Sequence, residues 1–234
     1  KRCLVQELPA IEGLARVDVL CADKTGTITE GSLAVAGVEP VRGQDHDAVE
    51  VEAALAALAQ LDPDPNATSR ALDAHFRTPT SWQVTGRVPF SSARKWSAMS
   101  FAGHGNWVLG APENVLADAY SGPLREQVEE QAAQGRRVLV LAVADGVFTD
   151  GPDATLPPVT PRALVLLEDV VRHDAPGTLE YFAAQGVTVK VISGDNNVTV
   201  GAVAKRAGLA GWADNVNATT LPADDTTDFA DAVE

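Results

Sequence analysis

Two apolar runs, one near each end of the chain, each stop at a polar turn that contains glycine. The run RVDVLCA, residues 16–22, leads into Asp23, and the run VTVKVIS, residues 187–193, leads into Gly194 and Asp195. Short apolar runs rich in β-branched residues predict buried strands. Because ligands bind at the carboxyl ends of parallel strands, we expect both turns to face one crevice.

Helical patterns accompany the second run. One helix is expected before it, with Asp174 as N-cap, Pro176 in its first turn and Gly186 after its end. A second helix is expected over residues 198–207, and Gly208 stops it. Strand, helix, strand and helix joined by short connections are typical of a parallel sheet.

A long insertion, about residues 35 to 160, has a different pattern. It predicts an alanine-rich helix over residues 47–61, a shorter helix over residues 69–77, and then several strands separated by glycine and proline. This order indicates an antiparallel α+β module, and the acidic, proline-bearing residues 150–161 read as a linker. The predicted strands lie in SWQVTGRVPF, WSAMSFAG, NWVLG and RRVLVLAVA.

Composition excludes several classes of function. The 234 residues are 45% hydrophobic, which is enough to bury a core, and we expect two domains. No window approaches 18 uninterrupted apolar residues, so the chain itself is expected to be soluble. The net charge of −14 argues against nucleic acid and anionic lipid as partners. Cys3 and Cys21 give no disulfide framework, and Cys21 is expected to be a buried, inert thiol. The four histidines lack the spacing of metal ligands.

The segment CADKTGTITEG, residues 21–31, carries the strongest chemical signal. An aspartate at the end of a strand, followed by a turn whose amides can cradle a phosphoryl group, is a candidate nucleophile, and here it is Asp23. Gly26 allows close approach of the backbone, and Lys24 lies beside it. The run DKTGT resembles the phosphorylation motif of P-type ATPases, membrane pumps in which an aspartate is transiently phosphorylated from ATP.

This resemblance implies that the phosphoryl group is carried by Asp23. Many phosphatases of the wider haloacid dehalogenase-like superfamily have a second aspartate two positions later, where this chain has Thr25. Without that acid and base, the phosphoaspartate is expected to live longer, as a pump requires. The resemblance implies Mg²⁺ ligands from Asp23 and the Thr25 carbonyl, with catalytic residues Asp23, Lys24 and Thr25 and phosphate contacts from Thr25, Gly26, Thr27, Ser193, Gly194 and Asp195.

Two further segments resemble pump motifs. VISGDN resembles the motif TGD, with Ser193 in place of threonine. EDVVRHD resembles the hinge motif DPPR, with Asp169 and Arg172 kept and both prolines replaced by valine. We expect the hinge to close the two domains and to bring the γ-phosphate from near Lys95 and Arg137 to Asp23.

A nucleotide site is expected in the insertion. VPFSSARKWSAMSF, residues 88–101, resembles the segment in which a phenylalanine stacks on adenine and a basic residue meets phosphate. LGAPENVL, residues 109–116, resembles the motif KGAPE, with Leu109 replacing its lysine, and Ser69 stands where many cation pumps have a glutamate that contacts the base. Weaker or less selective nucleotide binding would follow. The residues that the resemblance assigns to this site are Phe90, Arg94, Lys95, Gly110, Ala111, Arg137 and Ser69.

The sequence therefore predicts a Rossmann-like parallel sheet of the haloacid dehalogenase type, built from residues 1–34 and 162–234. An antiparallel α+β nucleotide-binding domain, residues 35–161, interrupts it. The late GDGxND motif of the pumps does not occur, so the resemblance implies an incomplete phosphorylation domain. It also implies ATP and Mg²⁺ as cofactors, and actuator and transmembrane domains elsewhere in the same polypeptide. In that full-length protein the present chain is expected to lie at the cytosolic face of the plasma membrane.

Calcium is the first guess for the transported cation, since FSSARK and GAPE favour the calcium-like branch. The alanine-rich, lysine-poor composition is typical of a GC-rich bacterium, such as an actinobacterium. Two alternatives stay open. One is a soluble phosphatase or phosphotransferase with a large inserted cap, and the other is a nucleotide-binding regulator without catalysis.

Overall fold

The structure is a computed structural model that describes residues 13, 16–44, 47–146, 148, 154–217 and 220. The chain divides into two compact units. We call residues 1–31 with 171–234 the discontinuous unit, and residues 32–170 the inserted unit.

The discontinuous unit contains a two-stranded parallel sheet. Strand β1 (Val19–Asp23) pairs with β8 (Thr188–Ile192), with Asp23 opposite Ile192. Helices α5 (Ala175–Ala184) and α6 (Asn197–Arg206) contribute Leu179 and Val203 to a small core. Because the pairing is parallel, both strands end at the same edge, as the sequence predicted.

The prediction that both strands are buried is wrong. Val19 is 46% exposed and Ile192 is 62% exposed, and Cys21 is exposed too, although we expected an inert buried thiol. Among the described residues the sheet has only these two strands, so each has one strand neighbour. The small core therefore covers only part of each strand.

The inserted unit is built on a six-stranded sheet. Its strand order is β2-β7-β6-β5-β4-β3, and every pair from β3 to β7 is antiparallel. The antiparallel character agrees with the predicted α+β module. The strands are β2 (Thr29–Pro40), β3 (Val84–Val88), β4 (Trp96–Phe101), β5 (Gly105–Gly110), β6 (Arg137–Ala144) and β7 (Val159–Val171).

Helices cover both faces of this sheet. Helices α1 (Ala48–Gln60) and α2 (Ala67–His75) pack on the face that carries Leu109 and Leu141. The side chains of Asp47 and Asn66 cap their N-termini by accepting backbone N–H groups. The opposite face carries the alternate residues of the strands, such as Val108 and Val140, and the short helix α3 (Pro112–Leu116) and helix α4 (Gly122–Ala132) pack against it.

The second boundary between the units differs from the expected one. It lies after residue 170 rather than after residue 161, because Val159–Val171 form one strand that is paired with β6 from residue 159 to residue 167. Of the predicted linker, residues 150–153 lie outside the described residues and residues 159–161 belong to β7. Helices α3 and α4 and the strands β2 and β7 were not predicted.

The helices of the described residues are too short or too polar to cross a membrane.

Candidate functional site

The loop after β1 presents the candidate nucleophile. Asp23 is the last residue of the strand, and its side chain is exposed, as are Thr25 and Thr27. Thr25 has extended backbone angles (φ −81°, ψ 119°) and Gly26 has a positive φ of 79°. A side chain at position 26 would be strained, so the motif's glycine is required for the turn.

Contacts from outside the motif hold this loop. The Thr29 hydroxyl is fully buried, donates to the Lys24 carbonyl (3.2 Å) and accepts the Gly26 N–H (3.4 Å). The Arg172 guanidinium donates to the Gly26 carbonyl (2.9 Å), and its backbone N–H donates to the Ile28 carbonyl (2.9 Å). Arg172, expected at a hinge, therefore contacts the loop directly.

An ion pair joins this loop to the turn after β8. The ammonium of Lys24 lies 2.5 Å from a carboxylate oxygen of Asp195, and the Lys24 side chain is only 2% exposed. The Ser193 hydroxyl accepts the Asp195 N–H (3.2 Å), which shapes the turn around Gly194. The sequence expectation that the two motifs meet is consistent with this geometry, but Lys24 is directed at Asp195 rather than toward solvent.

The chemistry of this edge rests on one accessible carboxylate. Asp23 forms no ion pair with the described residues, so its oxygens are available as a nucleophile or as a metal ligand. The described residues hold no cluster of three His, Cys, Asp or Glu side chains that could bind a metal by themselves. A Mg²⁺ held by one or two protein oxygens, a phosphate and water needs no such cluster.

The inserted unit contains a pocket of about 350 Å³, counting the space at its open mouth. It lies where the end of α1 and the start of α2 meet strands β3, β4 and β5. Phe90 is half exposed at this pocket, and Leu109 is buried in its wall. Small-molecule sites combine apolar surface with a few polar groups, and both kinds of surface line this pocket. Its other lining residues are Leu58, Asp62, Ser69, Leu72, Arg87, Val88, Pro89, Ser97 and Met99.

A close backbone approach links the two predicted nucleotide motifs. Lys95 ends the turn after Phe90 with a positive φ of 63°, and its carbonyl accepts the Ala111 N–H (3.0 Å). A Cβ placed on Gly110 would lie 2.4 Å from the Cβ of Trp96 and 2.7 Å from the Lys95 carbonyl oxygen. Only glycine fits there, so Gly110 and Ala111 shape the pocket through the backbone.

The predicted basic residues do not line the pocket. The Arg94 guanidinium donates to the Pro89 carbonyl (2.9 Å) and lies 5.2 Å from the centre of the Trp96 ring, so it holds the turn. Arg137 is exposed at the start of β6, and the alternation of the strand puts it on the sheet face of Leu139 and Leu141. Their phosphate contacts, and that of the exposed Lys95, stay predictions. Asp169 lies in β7, in the inserted unit.

Sequence reasoning missed Thr29, Asp62 and Arg87. Thr29 follows the recognised motif by two residues, and its burial gives no sequence signal. Asp62 lies in a polar loop between two predicted helices, where an acid is usually solvated. Arg87 lies in a predicted strand, and its guanidinium donates to the Leu61 carbonyl (2.8 Å).

Comparison with known proteins agrees with this geometry. Residues 17–225 match the family model of haloacid dehalogenase-like hydrolases. The chain is 55% identical over 222 residues to "Calcium-transporting ATPase CtpE" of Mycobacterium tuberculosis and 38% identical over 212 residues to "Probable cation-transporting ATPase exp7" of Streptococcus pneumoniae. These matches cover 95% and 91% of the chain but 27% and 26% of the relatives, so the chain spans about a quarter of their length.

A solved structure of a zinc-transporting PIB-type ATPase has the same fold. The TM-score is 0.62 at 22% sequence identity, and the likeness covers 86% of this chain and 29% of the other. At this identity the likeness concerns the fold alone.

The close backbone approach at Gly110 predicts that any side chain at this position lowers the stability of the protein. Gly110→Ala should lower the free energy of unfolding by about 1–3 kcal/mol, because the added methyl overlaps backbone and Cβ atoms that cannot move freely. Urea unfolding followed by tryptophan fluorescence measures the change. In the control Gly37→Ala, the new methyl meets only Leu166 Cδ1, at 3.9 Å. Equal free energies of unfolding in the two variants would contradict the close backbone approach at Gly110.

The Lys24–Asp195 pair predicts a local effect in the discontinuous unit. Asp195→Asn leaves a buried ammonium beside a neutral group, and the half-exposed partner limits the cost to about 1–3 kcal/mol. Amide hydrogen exchange over residues 24–29 should then become about 5- to 150-fold faster. Asp214→Asn removes an exposed carboxylate of the same unit and should leave these amides unchanged. Unchanged exchange in Asp195→Asn would show that the pair does not hold the loop.

Proposed function

Since this chain belongs to the haloacid dehalogenase-like hydrolase family, we propose that it forms the nucleotide-binding and phosphorylation parts of an ATP-driven cation pump. One observation carries the proposal: an exposed aspartate, Asp23, ends a parallel strand and is followed by a loop shaped by Gly26, with Thr25 where a hydrolytic relative would have a second acid. The similarity to cation-transporting ATPases over more than nine tenths of the chain supports it.

In the proposed reaction a carboxylate oxygen of Asp23 attacks the γ-phosphorus of ATP. The new O–P bond forms as the bond between this phosphorus and the oxygen bridging to the β-phosphate breaks, and ADP leaves with that electron pair. Thr25 has no carboxyl group with which to activate water. The acyl phosphate is therefore expected to persist until a separate step hydrolyses it.

The donor atoms at this loop suit Mg²⁺, which prefers oxygen ligands and keeps several waters. The Asp23 carboxylate and the Thr25 carbonyl would hold the ion. When bound, Mg²⁺ neutralises charge on the phosphate oxygens. The Lys24 ammonium, already paired with Asp195, serves to hold the loop rather than to contact phosphate.

The pocket of the inserted unit is proposed to bind the base of ATP. Phe90 offers an exposed aromatic face for stacking, and the buried Leu109 closes the wall with an apolar surface where the pump motif has a lysine. Without that lysine, stacking and apolar contact are expected to provide most of the affinity. Arg94, Lys95 and Arg137 are proposed to lie toward the phosphates.

We propose calcium as the transported cation, because the Mycobacterium tuberculosis relative is named a calcium-transporting ATPase. The ion path and the membrane anchor would belong to other parts of the same polypeptide, which the relatives' greater length accommodates. The units described here would act at the cytosolic face of the plasma membrane.

Removal of the stacking ring should weaken nucleotide binding. Phe90→Ala is expected to raise the Kd for ATP about 5- to 150-fold, since stacking of a base on an aromatic ring contributes about 1–3 kcal/mol. Calorimetric titration with and without Mg²⁺ measures it. Tyr181→Ala removes a comparably exposed ring from the other unit and should not change the Kd. An unchanged Kd in Phe90→Ala would place the nucleotide elsewhere.

The nucleophile assignment is tested in the intact pump with ATP labelled at the γ-phosphate. The wild type should form a label that survives acid and is released by hydroxylamine, as an acyl phosphate is, and Asp23→Asn should form none. Asp18→Asn, which changes an exposed carboxylate just before β1, should be labelled like the wild type. Label retained in Asp23→Asn would remove Asp23 from this role. Steady phosphate release by the wild type without accumulated label would favour a phosphatase.

A further inference from the structure

The base pocket carries one carboxylate. Among the described residues that line it, Asp62 is the only acid; the lining also includes the apolar Leu58, Leu72 and Leu109 and the polar Ser69, Arg87 and Ser97. Asp62 is partly buried, and a carboxylate withdrawn from water is costly unless donors hold it. The hydrogen bonds around Asp62 therefore show whether its carboxylate still has an acceptor position for a ligand.

Donors from two sides orient the Asp62 carboxylate. The Ser69 hydroxyl donates to Oδ2 (2.7 Å), and the Asp64 N–H donates to Oδ1 (3.1 Å). Ser69 itself is fixed in the first turn of α2, where its N–H donates to the Asn66 side chain (3.1 Å). The positive end of this helix dipole favours a negative group. The carboxylate is thus oriented before any ligand arrives.

These contacts leave capacity on the carboxylate. Each carboxylate oxygen has about two acceptor positions, and the two contacts occupy one on each. Arg87 steadies the same loop through the Leu61 carbonyl (2.8 Å), and no salt bridge joins it to Asp62 among the described residues. Asp62 can therefore accept one further hydrogen bond from a group inside the pocket.

We propose that Asp62 is the specificity-determining residue of this pocket and accepts a hydrogen bond from the exocyclic amino group of adenine. The inference rests on the proposed nucleotide binding and refines it. Ser69 does not contact the base in this arrangement; it positions the acid that does. A purine with its flat face on Phe90 presents its edge groups to the pocket wall, where a fixed acceptor selects an amino donor.

The test uses ATP and purine riboside triphosphate, which is ATP without the 6-amino group. A hydrogen bond to a charged group gives the wild type an expected preference for ATP of about 10- to 100-fold. Asp62→Ala should reduce this preference to within about threefold, and Asp62→Asn, which keeps the shape, should reduce it about tenfold. Circular dichroism and urea unfolding establish that each variant is folded.

Two controls isolate the role of Asp62. Asp64→Asn changes a neighbouring exposed carboxylate but keeps the backbone N–H that holds Asp62, so the preference should remain. Phe90→Ala should weaken both nucleotides by the same factor and leave their ratio unchanged. The proposal would be overturned if the preference for ATP over purine riboside triphosphate fell as much in Asp64→Asn as in Asp62→Asn. The loss of any nearby negative charge would then explain the change.

The outcomes separate this inference from the function on which it rests. If the folded wild type binds neither nucleotide, the proposed nucleotide site fails. If it binds both equally well, nucleotide binding stands and the role of Asp62 is wrong. Tighter binding of GTP than of ATP, lost in Asp62→Asn, would overturn the assignment to the adenine amino group, since guanine presents two donors to a carboxylate.

Discussion

The buried ammonium of Lys24 is the constraint on which the loop after β1 depends. An ammonium withdrawn from water is costly unless a carboxylate compensates it, and Asp195 provides that carboxylate from the far end of the sequence. The parallel pairing of β1 with β8 makes the contact possible, because it brings both strand ends to one edge. The ion pair thus holds the loop after β1 against the turn at residues 193–195. Thr29 and Arg172 hold the same loop through hydrogen bonds to its backbone carbonyls.

This arrangement gives two consecutive residues of the motif, Asp23 and Lys24, opposite surroundings. Asp23 is exposed, whereas Lys24, the next residue, is turned inward and paired with Asp195. Successive side chains of an extended backbone point to opposite sides, so a strand that ends in Asp23 naturally directs its neighbour away from the solvent edge. The loop therefore presents an exposed carboxylate while its own backbone is held by contacts from Thr29 and Arg172.

The pocket of the inserted unit depends on how its helices pack on its sheet. Both faces of its sheet are covered by helices, and the pocket forms where the α1–α2 connection leaves β3, β4 and β5 partly open. The contact between Gly110 and the Lys95 carbonyl fixes the two motif loops against each other. Leu109 is apolar and Arg94 is engaged in its own turn, so the charged side chains among the described lining residues are Asp62 and Arg87.

The local pattern of the sequence was enough to predict most of the helices and strands. The strands before Asp23 and Gly194, helices α1, α2, α5 and α6, and the strands β3 to β6 follow from hydrophobic period, caps and glycines, which act over a few residues. Tertiary structure decided the rest, because burial and partners depend on residues far apart in sequence. Four features each required the folded chain: the inward ion pair of Lys24, the exposed residues of β1 and β8, the strand β7 across the expected boundary at residue 161, and the orientation of Asp62 by Ser69.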